Sequence, residues 1–215
     1  MRTQAIFPLL ILLLGTGCFH YKSAVHSILK ENNSHRVIAI LPPIINWTGT
    51  GNTRKLPLDS LYALQDRYSM RLQRNLYNYF QEEEAKNIYS VHFMDTDTIT
   101  ARFERAGYSL RGIRDLKPHE AMEILDVDAV LISVMGESRS EYDPGLALAS
   151  STLIGWPMES MQEHLPINAH IFGKELKDPL WKYATTIRVD LAQSSIKTAN
   201  RMTSQFRKSF PYRVE

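Results

Sequence analysis

The run Val37-Ile38-Ala39-Ile40-Leu41, closed by Pro42-Pro43, constrains this chain more than any other stretch. It is apolar without interruption and largely β-branched, so it has no residue to offer to solvent and reads as a strand buried on both faces. Proline has no N–H to give to a strand ladder, which sets the end of the run. Cover on both faces of a sheet calls for helices, and the fold class is therefore α/β. A second run of the same kind lies at Asp128 to Met135, with Val130, Leu131, Ile132 and Val134.

The segments between these runs have helical spacing. From Leu58 to Glu84, Leu61, Leu64, Tyr68, Leu72, Leu76, Tyr79 and Phe80 recur on one face, behind Pro57 and Asp59 or Ser60 at the start. Tyr62, Tyr68, Tyr77 and Tyr79 are assigned mainly to packing on the sheet rather than to a ligand platform. Glu82, Glu83 and Glu84 fall at the helix end, where the dipole disfavours negative charge, and are read as fraying. A short strand at Tyr89 to Phe93 follows. Asp95 or Thr96 then caps a helix through Ala106, stopped by Gly107, and another helix runs from Pro118 to about Leu125.

The C-terminal part reads as a β-hairpin and a helix. Ile167 to Phe172 is one strand, Gly173 to Pro179 the turn region, and Leu180 to Asp190 the returning strand, whose imperfect alternation leaves the register open. Ala192 to Lys208 is helical. The expected architecture is a three-layer-like sandwich, a central mixed sheet flanked by helices, with this hairpin and helix added at the C-terminus.

The N-terminus has a different character. Arg2 precedes a nearly unbroken apolar run from Ala5 to Leu14, which is the layout of a signal peptide. The run is too short to span about 30 Å of hydrocarbon, which takes roughly 20 apolar residues. Gly15, Thr16 and Gly17 lead into Cys18, the only cysteine in the chain. This resembles the lipobox, in which small residues precede a cysteine that is diacylated before cleavage, although Gly15 stands where that pattern prefers leucine. The resemblance implies lipid on Cys18. The chain then divides into a signal peptide (1–17), a lipidated tether (18–35) and one α/β periplasmic domain (36–215).

Within that domain, residues from about 143 to 158 form an uncharged apolar insertion after Asp143. Leu146, Leu148, Leu153, Ile154 and Trp156 make it a candidate interaction segment, to be set against burial on the domain's own core. It is too short for a membrane-spanning helix and alternates too poorly for a pair of transmembrane strands.

Several function classes are disfavoured. The chain has 25 basic and 23 acidic side chains, well mixed, and loss of Arg2 leaves 24 to 23, so no basic face for nucleic acid is evident. The loop Asn46 to Asn52 contains Gly49 and Gly51 but continues as Thr53-Arg54-Lys55-Leu56, not in the order of a phosphate-binding loop. Seven dispersed histidines lack the paired spacing of a zinc site, and no cofactor or metal is expected. Asp95 and Asp97 are explained by capping. Glu137 and Glu141 follow a buried strand, where they could face a cleft, but solvation is the simpler reading. The expectation is a protein that is not an enzyme and has no evident small-molecule substrate.

Taken in order, the lipobox cysteine, Val37 to Pro43, the long helix, Asp126 to Ile132 and the strand with Trp181, Lys182 and Tyr183 resemble a broad superfamily. It holds the curli-secretion channel lipoprotein, the lipoprotein activators of penicillin-binding proteins and lipoproteins of unknown function. The resemblance implies an α/β sandwich at the periplasmic face of the outer membrane that acts by binding and assembly, with an envelope protein or further copies of itself as partner. It offers no catalytic residue to carry over. The first reading is a non-catalytic adaptor or regulator of a cell-envelope assembly, and the alternative is a ring or pore component of an outer-membrane secretion system.

Overall fold

In the computed structural model, which describes residues 35–46, 57–136, 164–174, 178–188, 195–207 and 209–214, the run at Val37 lies inside a six-stranded mixed sheet. The strands are β1 (Val37–Ile40), β2 (Ile44–Asn46), β3 (His92–Phe93), β4 (Ala129–Gly136), β5 (His164–Gly173) and β6 (Trp181–Arg188). The helices are α1 (Leu58–Glu84), α2 (Thr96–Arg105), α3 (Leu110–Asp115), α4 (Pro118–Leu125) and α5 (Ser195–Phe206). Strand order is β3-β1-β4-β5-β6, with β2 also beside β4. The first four strands pair in parallel, whereas β5 and β6 are antiparallel additions, so the C-terminal hairpin is part of the main sheet.

The prolines end β1 as expected, but they do not begin a loop. β1 pairs with the first half of β4, Ile40 opposite Leu131, and after Pro42-Pro43 the chain rejoins β4 further along, with Ile44 opposite Val134 and Asn46 opposite Gly136. Asn46, read from sequence as a loop residue, is thus the last residue of β2. Two buried polar residues of α1 serve this break in the ladder. Ser69 Oγ donates to the Pro43 carbonyl at 2.6 Å and Gln73 Nε2 to the Ile40 carbonyl at 2.7 Å, so buried carbonyls keep partners.

Helices cover the sheet unequally. On one face α1 and α5 pack over Ile38, Ile40, Leu131, Ala169 and Ile171, with Trp181 and Tyr183 of β6 in the same core. The β5–β6 register sets Ile171 opposite Trp181 and Ala169 opposite Tyr183, which places both aromatics inward. Tyr68 joins the helices, its hydroxyl 2.7 Å from Thr198 Oγ1. On the other face, α2, α3 and α4 pack Ile99, Phe103, Ile113, Met122 and Leu125 on Ala39, Leu41 and Val130. Asp95 caps α2 by accepting the Asp97 and Thr98 N–H groups, and Pro118 opens α4, both as the sequence predicts. Helix α3 was not anticipated. Its signal was Ser109, whose hydroxyl accepts the Gly112 N–H.

The acidic run at the end of α1 is not frayed. Glu83 is buried and lies 2.9 Å from Lys86 Nζ and 3.6 Å from Arg207. Glu84 meets His92 Nδ1 at 2.5 Å and accepts the Phe93 N–H at 3.1 Å, tying α1 to β3. The basic partners come from later in the chain and outweigh the unfavourable helix dipole, a term of about 0.3–1 kcal/mol. Strand β3 is also shorter than expected, because Tyr89 bridges Arg213 and Ser90 N–H donates to the Tyr212 carbonyl.

Candidate interaction surface

Cys18 and the apolar segment with Leu146, Leu148, Leu153, Ile154 and Trp156 lie outside the described residues, as do Glu137 and Glu141. The structure does place the ends of the connection that carries the segment. Gly136 closes β4 and His164 opens β5, two antiparallel neighbours with Met135 opposite Ile167, so the chain leaves and re-enters at one end of the sheet.

From that end runs the part of the sheet with the thinnest described cover. Alternate residues point to one face, and the register aligns them in rows: Ile132 with His170 and Lys182, then Val134 with Asn168 and Ala184. Ile132 and Phe172 are half-buried against the α2–α4 core, and among the described residues none of β6 belongs to that core. Val134, Asn168, His170 and Ala184 are half-buried, while Lys182 and Thr186 are exposed. His170 meets Phe172 edge-on at 6.0 Å. Burial, and secondarily the Lys182 ammonium, lowers the His170 pKa, so its ring is neutral at physiological pH. These rows set small, apolar and hydrogen-bonding side chains side by side.

At the opposite end of the sheet the chain enters the domain. Asp128 Oδ2 accepts the N–H groups of Arg36 and Val37 at 2.7 and 2.9 Å, and His35 Nδ1 lies 2.7 Å from the Tyr212 hydroxyl. These contacts fix where residues 18–34 join the fold. Burial acts to raise the Asp128 pKa, but the two backbone N–H groups prevail and hold it below the usual carboxylate value. A lowered folded-state pKa contributes stability above the unfolded value, near 3.9, that is lost as pH falls through the folded value. Asp128→Asn is therefore expected to cost about 1 kcal/mol near neutral pH, a figure reduced for partial exposure, and to flatten the acid limb of stability. Urea unfolding at pH 7 and pH 3 checks this, and an unchanged acid limb in the variant would remove Asp128 from that role.

Among the described residues, no three of His, Cys, Asp and Glu are grouped to hold a metal ion, and no helix is long and apolar enough to cross a membrane.

No family model and no curated protein matches the chain. Solved structures do. The lipoprotein GNA1162 from Neisseria meningitidis aligns with 15% identity and a TM-score of 0.39 over 78% of this chain and 91% of its own. The LpoB C-terminal domain from Salmonella enterica aligns with 7% identity and a TM-score of 0.34 over 72% and 84%. A PelC dodecamer from Paraburkholderia phytofirmans aligns with 11% identity and a TM-score of 0.34 over 84% and 90%. Likenesses this weak carry no function across.

Proposed function

We propose that this chain is a lipid-anchored lipoprotein of the bacterial envelope that acts without catalysis, as an adaptor or regulator of an envelope assembly. The observation that carries the reading is the N-terminal sequence, a charged residue, a short apolar run and Gly15-Thr16-Gly17-Cys18. Phe19 and His20 stand after the cysteine in place of an acidic residue that retains some lipoproteins at the inner membrane, which favours the periplasmic face of the outer membrane. The thinly covered rows of β4, β5 and β6 supply a surface for a protein partner, and the connection whose sequence contains Leu146 to Trp156 leaves β4 and enters β5 at the end of the sheet from which these rows run.

Cys18→Ala is expected to leave the precursor unprocessed, with no acyl mass on the protein. Intact-mass spectrometry and membrane fractionation check it, and acylation that persists in the variant would end the anchor reading. Light scattering of the acylated protein in detergent, with negative-stain imaging of the same sample, tests the adaptor reading. A monomer or dimer supports it, whereas a discrete ring would replace it with the channel-like alternative and make Leu146 to Trp156 the segment to mutate.

A further inference from the structure

The two edges of the sheet are finished differently. At one edge β3 has only two residues, and the chain just before it is met by the C-terminal tail, Ser90 N–H donating to the Tyr212 carbonyl and Val214 N–H to the Ile88 carbonyl. At the other edge β6 runs for eight residues, and among the described residues it pairs with β5 alone. The ladder says which of its backbone groups are left over. Lys174 N–H donates to the Asp128 carbonyl, so in the observed register the even-numbered residues of β5 bond to β4 and the odd-numbered ones to β6. Trp181, Tyr183 and Thr185 of β6 therefore bond to β5, and Lys182, Ala184 and Thr186 turn their N–H and C=O groups outward. Edge strands are usually blunted by short length, proline, a bulge or several charges. From Trp181 to Thr186 there is no proline, the register is unbroken, and the one charged residue is Lys182.

We propose that the β6 edge pairs antiparallel with the β6 edge of a second copy of the chain, about a two-fold axis at Ala184. A row of outward backbone donors and acceptors takes an extended strand rather than a small molecule. The strand's own sequence selects a second copy. Centring the pair on Ala184 puts the smallest side chain of β6 on the axis and sets Lys182 of each copy opposite Thr186 of the other, so like charges do not face each other. About six backbone hydrogen bonds then form across the axis. Trp181 and Tyr183 keep their places in the core, and the side chains of Lys182, Ala184 and Thr186 from both copies share one face, which extends the open rows from one copy into the next. Because each copy spends the same edge on the other, the contact closes as a dimer and does not propagate. The pairing does not depend on the lipid anchor.

The test uses the full acylated chain in density-matched detergent, with sedimentation equilibrium and amide exchange at low and high protein concentration. The expected result is a dimer in which exchange at Lys182, Ala184 and Thr186 slows about tenfold once nine chains in ten are paired, with Trp181, Tyr183 and Thr185 unchanged. Ala184→Pro removes an outward N–H without touching the β5 ladder, a position where an edge strand tolerates proline, and should give a folded monomer. Thr186→Glu should tighten the dimer about fivefold by placing a carboxylate opposite Lys182 twice, and Thr186→Lys should weaken it by a similar factor. Protection at these three amides that is the same at every concentration would assign the edge to the chain's own residues and overturn the proposal. Exchange that stays fast throughout, a dimer that survives Ala184→Pro in a folded chain, or equal association of the two Thr186 variants also overturns it. A monomer would do so while leaving the adaptor reading in place. A chain found without lipid on Cys18 would end the anchor reading alone, and the same exchange measurement, made without detergent and with a reductant, would still decide the edge.

Discussion

Phe80→Ala lowers the stability of the domain by about 3–5 kcal/mol, the range for emptying a fully buried aromatic site. Phe80 is 0% exposed at the point where three stretches of chain meet. Its ring lies 4.8 Å from Phe93 of β3, 4.8 Å from Phe210 of the C-terminal tail and 5.6 Å from Tyr89. Alanine leaves a cavity that these rings, each held by its own backbone pairing, cannot close by collapse. Against a typical total of about 5–15 kcal/mol the loss is large, and the tail should be the first part to loosen. Urea unfolding followed by tryptophan fluorescence measures the first effect, and amide exchange at Ser90, whose N–H donates to the Tyr212 carbonyl, reports the second. Phe80→Leu should recover more than half of the loss. A change below 1 kcal/mol for the alanine variant would mean that this aromatic cluster is not the keystone of the fold.

Gly136→Ala should cost about 3 kcal/mol, for a different reason. Gly136 has φ +120°, a conformation that side-chain-bearing residues rarely adopt, and a methyl group there would sit 2.2 Å from the Asn46 carbonyl oxygen. Both faults are in the backbone, so rotamer changes cannot relieve them, and β2 must move away from β4. Urea unfolding gives the cost. Amide exchange should show β2 opening with β1 still protected, because β1 pairs with the other half of β4. Wild-type stability in the variant would show that β2 is not held to β4 in this way.

Much of the architecture was legible because it is written locally. Apolar runs without a polar face identified the central strands β1 and β4. Helical spacing behind Pro57 gave α1 at the residues observed, and Asp95 and Pro118 marked the starts of α2 and α4. Local rules failed where the partner is far away in sequence. Glu83 and Glu84 look like a badly placed acidic run until Arg207 and His92 arrive beside them. Asn46 looks like a loop residue until β4 runs past it.

The reading of function divides in the same way. The N-terminal pattern and the lone cysteine can be weighed from sequence alone, because a signal peptide and a lipobox are recognised as linear segments before any folding. Which rows of the sheet are left half-buried could not be, since that depends on how α2 to α4 pack on strands far from them in sequence. The sequence by itself determined the covered sheet, the main helices and the case for an anchor, since each depends on residues within a few turns of one another. Only the tertiary structure decided the strand order, the register that turns Trp181 and Tyr183 inward, and the tie between the C-terminal tail and Tyr89, because each brings together residues that only the folded chain makes neighbours.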